Sequence, residues 1–567
     1  MYKKRGGQID ALSSPMFFGG VRLDTRNVWV QMAELIPWEA FERKYAENFE
    51  GSTTGNPAKP ARMAIGTLVI KERYRFSDDD VIEEIRMNPY LQYFIGQPEF
   101  THEAPFDQSV ITRFRQRVTP EMLSEINDIV IGRKKVEEDE KEKKPPDDEP
   151  PTGGGGMPEH GLEKDSEHEP VSEDESANEG TMILDATCAP QDIRYPTDIS
   201  LLSEAREKLE EMIDVAHGAG LTEGKKPRTY PNRARRDYLR FARNRKPNHK
   251  LLRKSLRKQL GYVGRDLSHL DAILSRHPDA LSERLMTYLL TIRTLFEQQI
   301  EMYDKRTHSV EHRIVSLHQP YVRPIVRGKS TAPVEFGAKV GISLINGFAR
   351  VEKLSWDAFN EGGTLQETVE RFKADTGHYP ARILADKLYR TRENLAYCKK
   401  HGIRMSGPKL GRPPNDKALY REQCRIEREE SGERSAIEGT FGVGKRRYTL
   451  ERIMTRLQHT SEVSIHVSFL TMNLFRRLRL LLVLFSTGPF LRPKPQFSSS
   501  DPFLRSRLLP LCLALDHLVA CAVDPNLEEV VSRTYDEPSS IVKEHKIHSY
   551  LYPAVILALQ SLPQPFF

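Results

Sequence analysis

The sequence predicts an α/β fold: a mixed sheet flanked by helices, with a long helical insert and a separate all-α N-terminal domain. Residues 181–480 alternate short apolar runs with amphipathic stretches, which predicts a mixed sheet covered by helices. Residues 26–133 have only helical periodicity, and a strongly helical block at about 190–312 interrupts the strand pattern. A chain of 567 residues is long enough for several such cores.

The N-terminal part is predicted to be a flexible arm at 1–25 followed by a helical domain at 26–133. Its segment VITRFRQRV has an apolar stripe flanked by Arg113 and Arg117, and Arg115 is expected to point away from that stripe. Two short helices with a basic second member resemble a helix-turn-helix, which would place Arg113 and Arg117 against DNA. An ordinary helical bundle with an arginine-rich surface remains open.

Residues 134–180 are acidic, rich in Pro and Gly, and nearly free of apolar residues. Such a segment buries too little surface to fold, so we predict a disordered linker. A role as an acidic tether that masks a basic surface is left open. After residue 480 the pattern decays, and 481–567 is an unassigned C-terminal tail.

The helical insert carries the strongest concentration of positive charge. Between Lys225 and Lys258 there are fifteen Lys or Arg residues and one acid, Asp237, with aromatic residues interleaved. A net charge of only +5 for the whole chain makes so one-sided a run unusual, although a solvated helix face is the ordinary explanation. We predict DNA binding through this run. The arginines selected are Arg235, Arg236, Arg240 and Arg243.

Strand-like alternation begins after the insert. Two strands are predicted to meet at Asn346-Gly347, a strong hairpin turn signal. A helix over 363–376, a strand ending at Asp386, a helix over 392–401 and a strand over 403–406 follow, and the last helix carries Glu438.

Three acids are the candidate site. Asp185 and Asp386 each end a short apolar run, as expected for strands that deliver carboxylates at a sheet edge. Arg434, Glu438 and Lys445 have i, i+4, i+11 spacing and share one helix face. A carboxylate between two cations suits a site for both a metal and a polyanion. For each isolated aspartate, a cap or turn role is the alternative.

A different site type is suggested by HSVEH at 308–312, which fits the H-x-x-E-H pattern of inverted zinc peptidases. His308 and His312 would share a zinc ion if the segment were helical. No third ligand is obvious nearby, and so short a pattern arises often by chance.

The acids lie in the motifs LDATCAP, LADKLYRTRENLAYCKKHGIR and RSAIEGTFGVGKRRY. With them, residues 26–480 resemble a bacterial insertion-sequence transposase of the DDE type, in the group related to insertion sequences four and five. That family's glutamate signature is Tyr, two residues, Arg, three residues, Glu, six residues, Lys. Arg434, Glu438 and Lys445 meet it, whereas Ser431 occupies the tyrosine position.

The resemblance implies an RNase H-like catalytic domain at 181–480. It also implies that Asp185, Asp386 and Glu438 are catalytic and bind two Mg²⁺ ions, for which Mn²⁺ can substitute. Such a pair would stabilise the attacking and leaving oxygens of an in-line displacement at phosphorus, for strand cleavage and then strand transfer.

Arginine and lysine side chains near these acids are expected to hold DNA phosphates. The candidates are Arg434, Lys445, Arg446 and Arg447, with Lys339 as a weaker one.

The expected function is that of a DNA transposase acting on double-stranded DNA, both transposon ends and target, with a homodimer left open. The alternative is a catalytically silent, transposase-derived DNA-binding protein. The N-terminus has no secretory signal and Leu480–Phe485 is too short to span a bilayer, so we expect the bacterial cytoplasm, at the nucleoid.

Overall fold

The structure, a computed structural model, describes residues 21–49, 57–133, 178–222, 224–326, 334–408 and 416–487. The predicted arm, linker and tail therefore lie largely outside the described residues. The chain divides into a compact unit that ends at Leu478 and a second unit from Arg479 onward.

Fifteen helices and six strands occupy the described residues. The helices are α1 (Val28–Leu35), α2 (Trp38–Glu47), α3 (Ala61–Tyr74), α4 (Asp78–Met87), α5 (Pro89–Phe94), α6 (Ser109–Arg117), α7 (Pro120–Val130), α8 (Asp198–Gly218), α9 (Pro231–Ala242), α10 (His249–Leu274), α11 (Glu283–Lys305), α12 (Leu365–Thr376), α13 (Arg392–Lys400), α14 (Lys417–Arg447) and α15 (Gln458–Thr487). The strands are β1 (Thr181–Pro190), β2 (Arg323–Val326), β3 (Val334–Ile345), β4 (Phe348–Ser355), β5 (Arg382–Ala385) and β6 (Arg404–Met405).

The strands form one mixed sheet, which confirms the predicted α/β class. β1 pairs antiparallel with β3 on one side and parallel with β5 on the other, and β5 continues in parallel to β6. The far edge of β3 is shared by β4 and the short strand β2, which the sequence pattern did not predict. Antiparallel strands followed by two parallel ones are compatible with an RNase H-like sheet.

The predicted hairpin is confirmed at β3 and β4. Asn346 and Gly347 have φ values of 53° and 76°, as a two-residue turn with both central residues in the left-handed region requires. On the other side of β3, a Cβ atom at Gly337 would lie 2.1 Å from the carbonyl oxygen of Ala189. Only glycine fits this contact with β1.

The N-terminal helices do not build their core alone. Phe41, Ile65 and Phe114 are fully buried in one apolar cluster together with Val467 and Leu474 of α15. The N-terminal region is helical as predicted, but residues more than three hundred positions later complete its core.

A buried ion pair joins α7 to the sheet. The Arg350 guanidinium on β4 donates to both carboxylate oxygens of Asp128, with N–O distances of 2.6 and 2.9 Å. A bidentate pair of this kind is strong, and it fixes orientation as well as distance. It therefore holds the N-terminal helices against β4.

The predicted insert is confirmed as four helices, α8 to α11, with an apolar core of their own. α9 lies on the outside of this core. Among its side chains only that of Ala234 is fully buried, so nearly the whole helix faces solvent.

Two glycines of α14 test how this helix is held. A Cβ at Gly444 would lie 2.6 Å from Leu450 Cδ1, whereas a Cβ at Gly439 would have nothing within 4 Å. We expect Gly444→Ala to destabilise the protein by about 1–3 kcal/mol through overpacking. Gly439→Ala should stabilise it by about 0.5–1 kcal/mol, since glycine is costly within a helix. Urea unfolding of both variants measures the difference, and equal effects would contradict this account of α14.

Candidate active site

Asp185 lies in the middle of a strand. The sequence pattern predicted that the strand would end there, but β1 continues to Pro190 because β3 pairs with it along its whole length. Asp185 is opposite Ile342, and its side chain is 18% exposed. The carboxylate therefore emerges from the sheet surface, beneath α14, which packs on β1 and β5.

Asp386 follows directly after β5. Its Oδ1 accepts the backbone N–H of Lys387 at 2.6 Å and so caps the short 3-10 turn Lys387–Tyr389. The parallel register pairs Leu184 with Ala385, so the next residues along the two chains are Asp185 and Asp386. The fold thus brings together two aspartates that are distant in sequence.

Glu438 approaches from α14, whose residue Ile437 is buried in the core beneath it. Its side chain is 59% exposed and contacts Arg434, with Nη2 and Oε1 3.3 Å apart. Arg434 Nη1 also lies 3.8 Å from Asp185 Oδ2. One guanidinium therefore lies between the strand carboxylate and the helix carboxylate.

In this arrangement the three predicted ligands are not gathered around a single point. Within the described residues, no group of three or more His, Cys, Asp or Glu side chains is placed to hold a metal ion. The ligand set Asp185, Asp386 and Glu438 stays a prediction.

The electrostatics of the site favour a cation. Burial raises the pKa of Asp185 to about 6, although its Oδ1 accepts the N–H of Ala186 at 2.8 Å. The nearby charges of Glu361 and Asp386 raise this pKa further, and Arg434 lowers it. Hard carboxylate oxygens that repel one another in a half-buried site are the donors that Mg²⁺ prefers. The donor chemistry of these residues therefore fits a divalent cation.

Glu361 is an acid that the sequence analysis missed. It begins a short 3-10 turn after β4, and its side chain is only 13% exposed. The pKa of buried Tyr389 is raised by desolvation and by Glu361, Asp185 and Asp386, which places all four groups in one electrostatic neighbourhood. The Asn360-Glu361-Gly362 sequence, a turn signal directly after a predicted strand, was the available clue.

Lys339 has a different partner from the one proposed. Its Nζ lies 2.8 Å from Glu361 Oε1 and donates to the carbonyl of Phe359, also at 2.8 Å. It is therefore placed to neutralise Glu361 and not to extend into solvent toward a phosphate.

The cations that end α14 are more accessible. Lys445 Nζ lies 4.0 Å from Glu335 Oε2, while Arg446 and Arg447 are both exposed. The carbonyl of Arg446 accepts a hydrogen bond from Arg75 of the N-terminal helices at 3.1 Å. The end of α14 is thereby fixed, with two arginine side chains directed to solvent.

The arginines of α6 differ from one another. Arg113 is exposed, and Arg117 is partly buried with its guanidinium 5.1 Å from the ring centroid of Phe49. Arg115, which was expected to point away from the apolar stripe, is buried and bonded to both carboxylate oxygens of Asp78. The ion pair with α4 makes burial of this charge favourable.

The insert exposes the predicted basic surface on α9. The single acid of α9 is already paired. The Asp237 carboxylate accepts hydrogen bonds from Lys258 Nζ at 2.9 Å and from the Tyr262 hydroxyl at 3.0 Å. The exposed arginines of α9 and its C-terminal cap include Arg235, Arg236, Arg240 and Arg243.

The zinc hypothesis is wrong at the level of local structure. His308 and His312 follow α11 in a loop, so the i, i+4 spacing does not place them on one helix face. His312 has a φ of 49°, and its Nδ1 lies 3.1 Å from Asp357 Oδ1.

A mixed sheet that carries Asp185 in one strand and Asp386 directly after the adjacent parallel strand, with α14 packed on both strands, is compatible with an RNase H-like DDE domain. Two family models match within this chain: "Transposase DDE domain" over residues 383–475 and "Transposase domain (DUF772)" over residues 21–117. The matches confirm the resemblance to insertion-sequence transposases of the DDE type over these two parts of the chain. Asp386 and Glu438 lie within the first match, and Asp185 lies outside it.

A curated relative is similar over a shorter stretch. "Uncharacterized protein ORF8 in nfe locus" of Rhizobium meliloti is 35% identical over 104 residues, which are 18% of this chain and 49% of that protein. The match thus spans about half the length of the relative. No solved structure matches the chain. None of the helices in the described residues is both long and apolar enough to cross a membrane.

The raised pKa of Asp185 predicts that ionisation of this carboxyl lowers the stability of the folded protein as pH rises. Because the folded protein has a pKa of about 6 where the ordinary value is 3.8, its folded state binds more protons in that window and its stability falls as pH rises through it. Without metal at pH 8, Asp185→Asn should therefore raise the free energy of unfolding, by at most about 3 kcal/mol.

Thermal unfolding in chelator at pH 8 and pH 4 measures this effect. The gain should shrink toward pH 4, where Asp185 in the folded protein is neutral, as asparagine is. Asp279→Asn, at an exposed position, is the matched control and should change little at either pH. A gain for Asp185→Asn that is equal at both pH values would contradict the prediction.

Proposed function

We propose that the protein is a DNA transposase that binds transposon ends and carries out metal-dependent strand cleavage and strand transfer. The observation that carries this proposal is the β1–β5 register, which puts Asp185 beside Asp386 in a chain that matches a transposase DDE domain. Glu438, reached through Arg434, is the proposed third acid.

In this proposal Asp185, Asp386 and Glu438 hold divalent metal. Bound Mg²⁺ would supply Lewis-acid stabilisation of phosphate oxygens and an activated water or 3′-hydroxyl. The protein's own side chains bind the DNA and orient it at the acids. The fixed end of α14 presents Arg446 and Arg447 to the DNA backbone, and β1 and β5 hold the two aspartates on a rigid sheet.

DNA would be held mainly outside the acidic site. The exposed arginines of α9 form a cationic surface whose acid is already paired, so it can neutralise phosphates and release counterions. In the N-terminal region Arg113 is the accessible candidate, with Arg117 beside it. We propose that these surfaces bind transposon ends and target, and that the protein acts at the bacterial nucleoid.

Removal of the acids should separate binding from chemistry. We expect Asp185→Asn, Asp386→Asn and Glu438→Gln each to lose Mg²⁺- or Mn²⁺-dependent cleavage of a transposon-end duplex by at least about a hundredfold, since each removes a charge from the proposed metal site. Gel assays of cleavage and of binding on the same duplex measure both properties. Binding should persist in all three variants.

The two outcomes distinguish the candidate functions. Cleavage that survives all three substitutions would overturn the site assignment. If the unsubstituted protein binds the duplex and never cleaves it with either metal, the protein is the catalytically silent, transposase-derived form.

The surface on α9 makes a separate, electrostatic prediction. Replacing Arg235, Arg236, Arg240 and Arg243 by Gln should weaken duplex binding and reduce the slope of log K against log salt by about 0.9 for each phosphate that the protein no longer neutralises. Fluorescence anisotropy over a salt series measures this slope. Gln at the exposed Lys399 and Lys400 of α13 is the control for simple loss of positive charge. An equal reduction of slope in the control would show that α9 has no special role.

A further inference from the structure

The helical insert contains a groove that the proposed chemistry does not use. It lies between the start of α10 and the end of α11 and has a volume of about 380 Å³. We call it the insert groove. Its lining residues are Asp198, His249, Lys250, Leu252, Arg253, Leu256, Gln299, Met302, Tyr303, Arg306, Thr307 and His308.

The rim of the insert groove is cationic. Lys250 and Arg306 both line it and are exposed, the first in the opening turn of α10 and the second just after α11. Arg253 is held in place, because its Nη1 donates to the carbonyl of Tyr303 at 3.1 Å and its guanidinium lies 4.2 Å from that ring centroid. An anion entering the groove would meet cations from both helices.

The one acid in the lining is already paired. Asp198 Oδ1 accepts from Gln299 Nε2 at 2.9 Å and from Arg313 Nη2 at 2.7 Å. Its charge is therefore offset by Arg313, and the groove keeps a net positive character.

The floor of the insert groove is apolar and aromatic. Leu252, Leu256, Met302 and Tyr303 all line the groove, and Met302 is buried. Phosphates alone would make no use of such a floor, whereas a nucleobase gains from burial and from stacking on an aromatic ring. In duplex DNA the base faces are covered by their neighbours, so only an unpaired nucleotide can offer both groups.

The geometry points to an unpaired nucleotide of a DNA strand as the occupant, with its phosphate between Lys250 and Arg306 and its base against Tyr303. The exposed Lys254 and Arg257 on the following turns of α10 extend the basic surface beyond the groove, where they can contact the paired part of the DNA. This inference rests on the proposed DNA-binding function and adds a preference for unpaired DNA at a site separate from the acids.

The test compares a blunt duplex with the same duplex carrying a short single-stranded tail, on the full-length protein, by fluorescence anisotropy. We expect the tailed duplex to bind about tenfold more tightly, the size expected for one stacked base with its phosphate. The double variant Lys250→Gln/Arg306→Asn should lose this ratio, and asparagine suits the left-handed conformation at 306 (φ 54°). Tyr303→Leu should lose it too.

The matched control is Lys254→Gln/Arg257→Gln, which removes two charges from the same helix outside the groove. It should lower binding of both duplexes and keep their ratio. A tail whose nucleotides lack bases should bind less tightly than the normal tail, because it keeps the phosphate contact and loses the contact of the base.

The inference is overturned if the unsubstituted protein shows no preference for the tail, if the control loses the ratio as fully as the groove variants, or if an abasic tail binds as well as a normal one. Absence of binding to every duplex would instead count against the proposed function itself, so the two failures are distinguishable.

Discussion

The parallel pairing of β1 with β5 is the constraint on which the site depends. It joins two segments that are about two hundred residues apart in sequence and fixes their register, so that Asp185 and Asp386 become neighbours. The helical insert and the β3–β4 hairpin both lie in the stretch of chain between β1 and β5. Because α14 packs across the same two strands, the position of Glu438 follows from the same pairing. A slip of one residue would turn Asp185 to the opposite face of the sheet and separate it from Arg434.

Without metal, basic side chains of the protein balance the acids. Arg434 lies between Asp185 and Glu438, and Lys339 contacts Glu361. These contacts reduce repulsion among the carboxylates of the site. Burial raises the pKa of one of them, Asp185, to about 6. A divalent ion entering the site would compete with Arg434 for the same oxygens. In the proposed function, Arg434 would then become available to a phosphate, and this one side chain would connect metal binding with DNA binding.

Local pattern predicted much of this architecture, because its signals lie within a few residues. Asn346-Gly347 specifies a turn by its backbone preferences, and the short apolar runs before Asp185 and Asp386 are recognisable as buried strands. The features that the sequence pattern did not predict all involve distant partners. Arg115 is buried because its guanidinium forms an ion pair with Asp78. Strand β1 extends beyond Asp185 because β3 pairs with it along that length. Glu361 was missed because only its proximity to Asp185 and Tyr389 in the fold identifies it. No spacing rule in the sequence predicts that proximity.

The shared core of the N-terminal helices and α15 has a consequence for biosynthesis. Apolar faces on α1, α3 and α6 receive their last partners from residues such as Val467 and Leu474, which leave the ribosome near the end of the compact unit. Until then the nascent chain exposes surface that favours aggregation or chaperone capture. A prematurely terminated chain would keep the N-terminal helices but lack the helix that completes their core. The architecture therefore couples the folding of the first hundred residues to the synthesis of residues more than three hundred positions later.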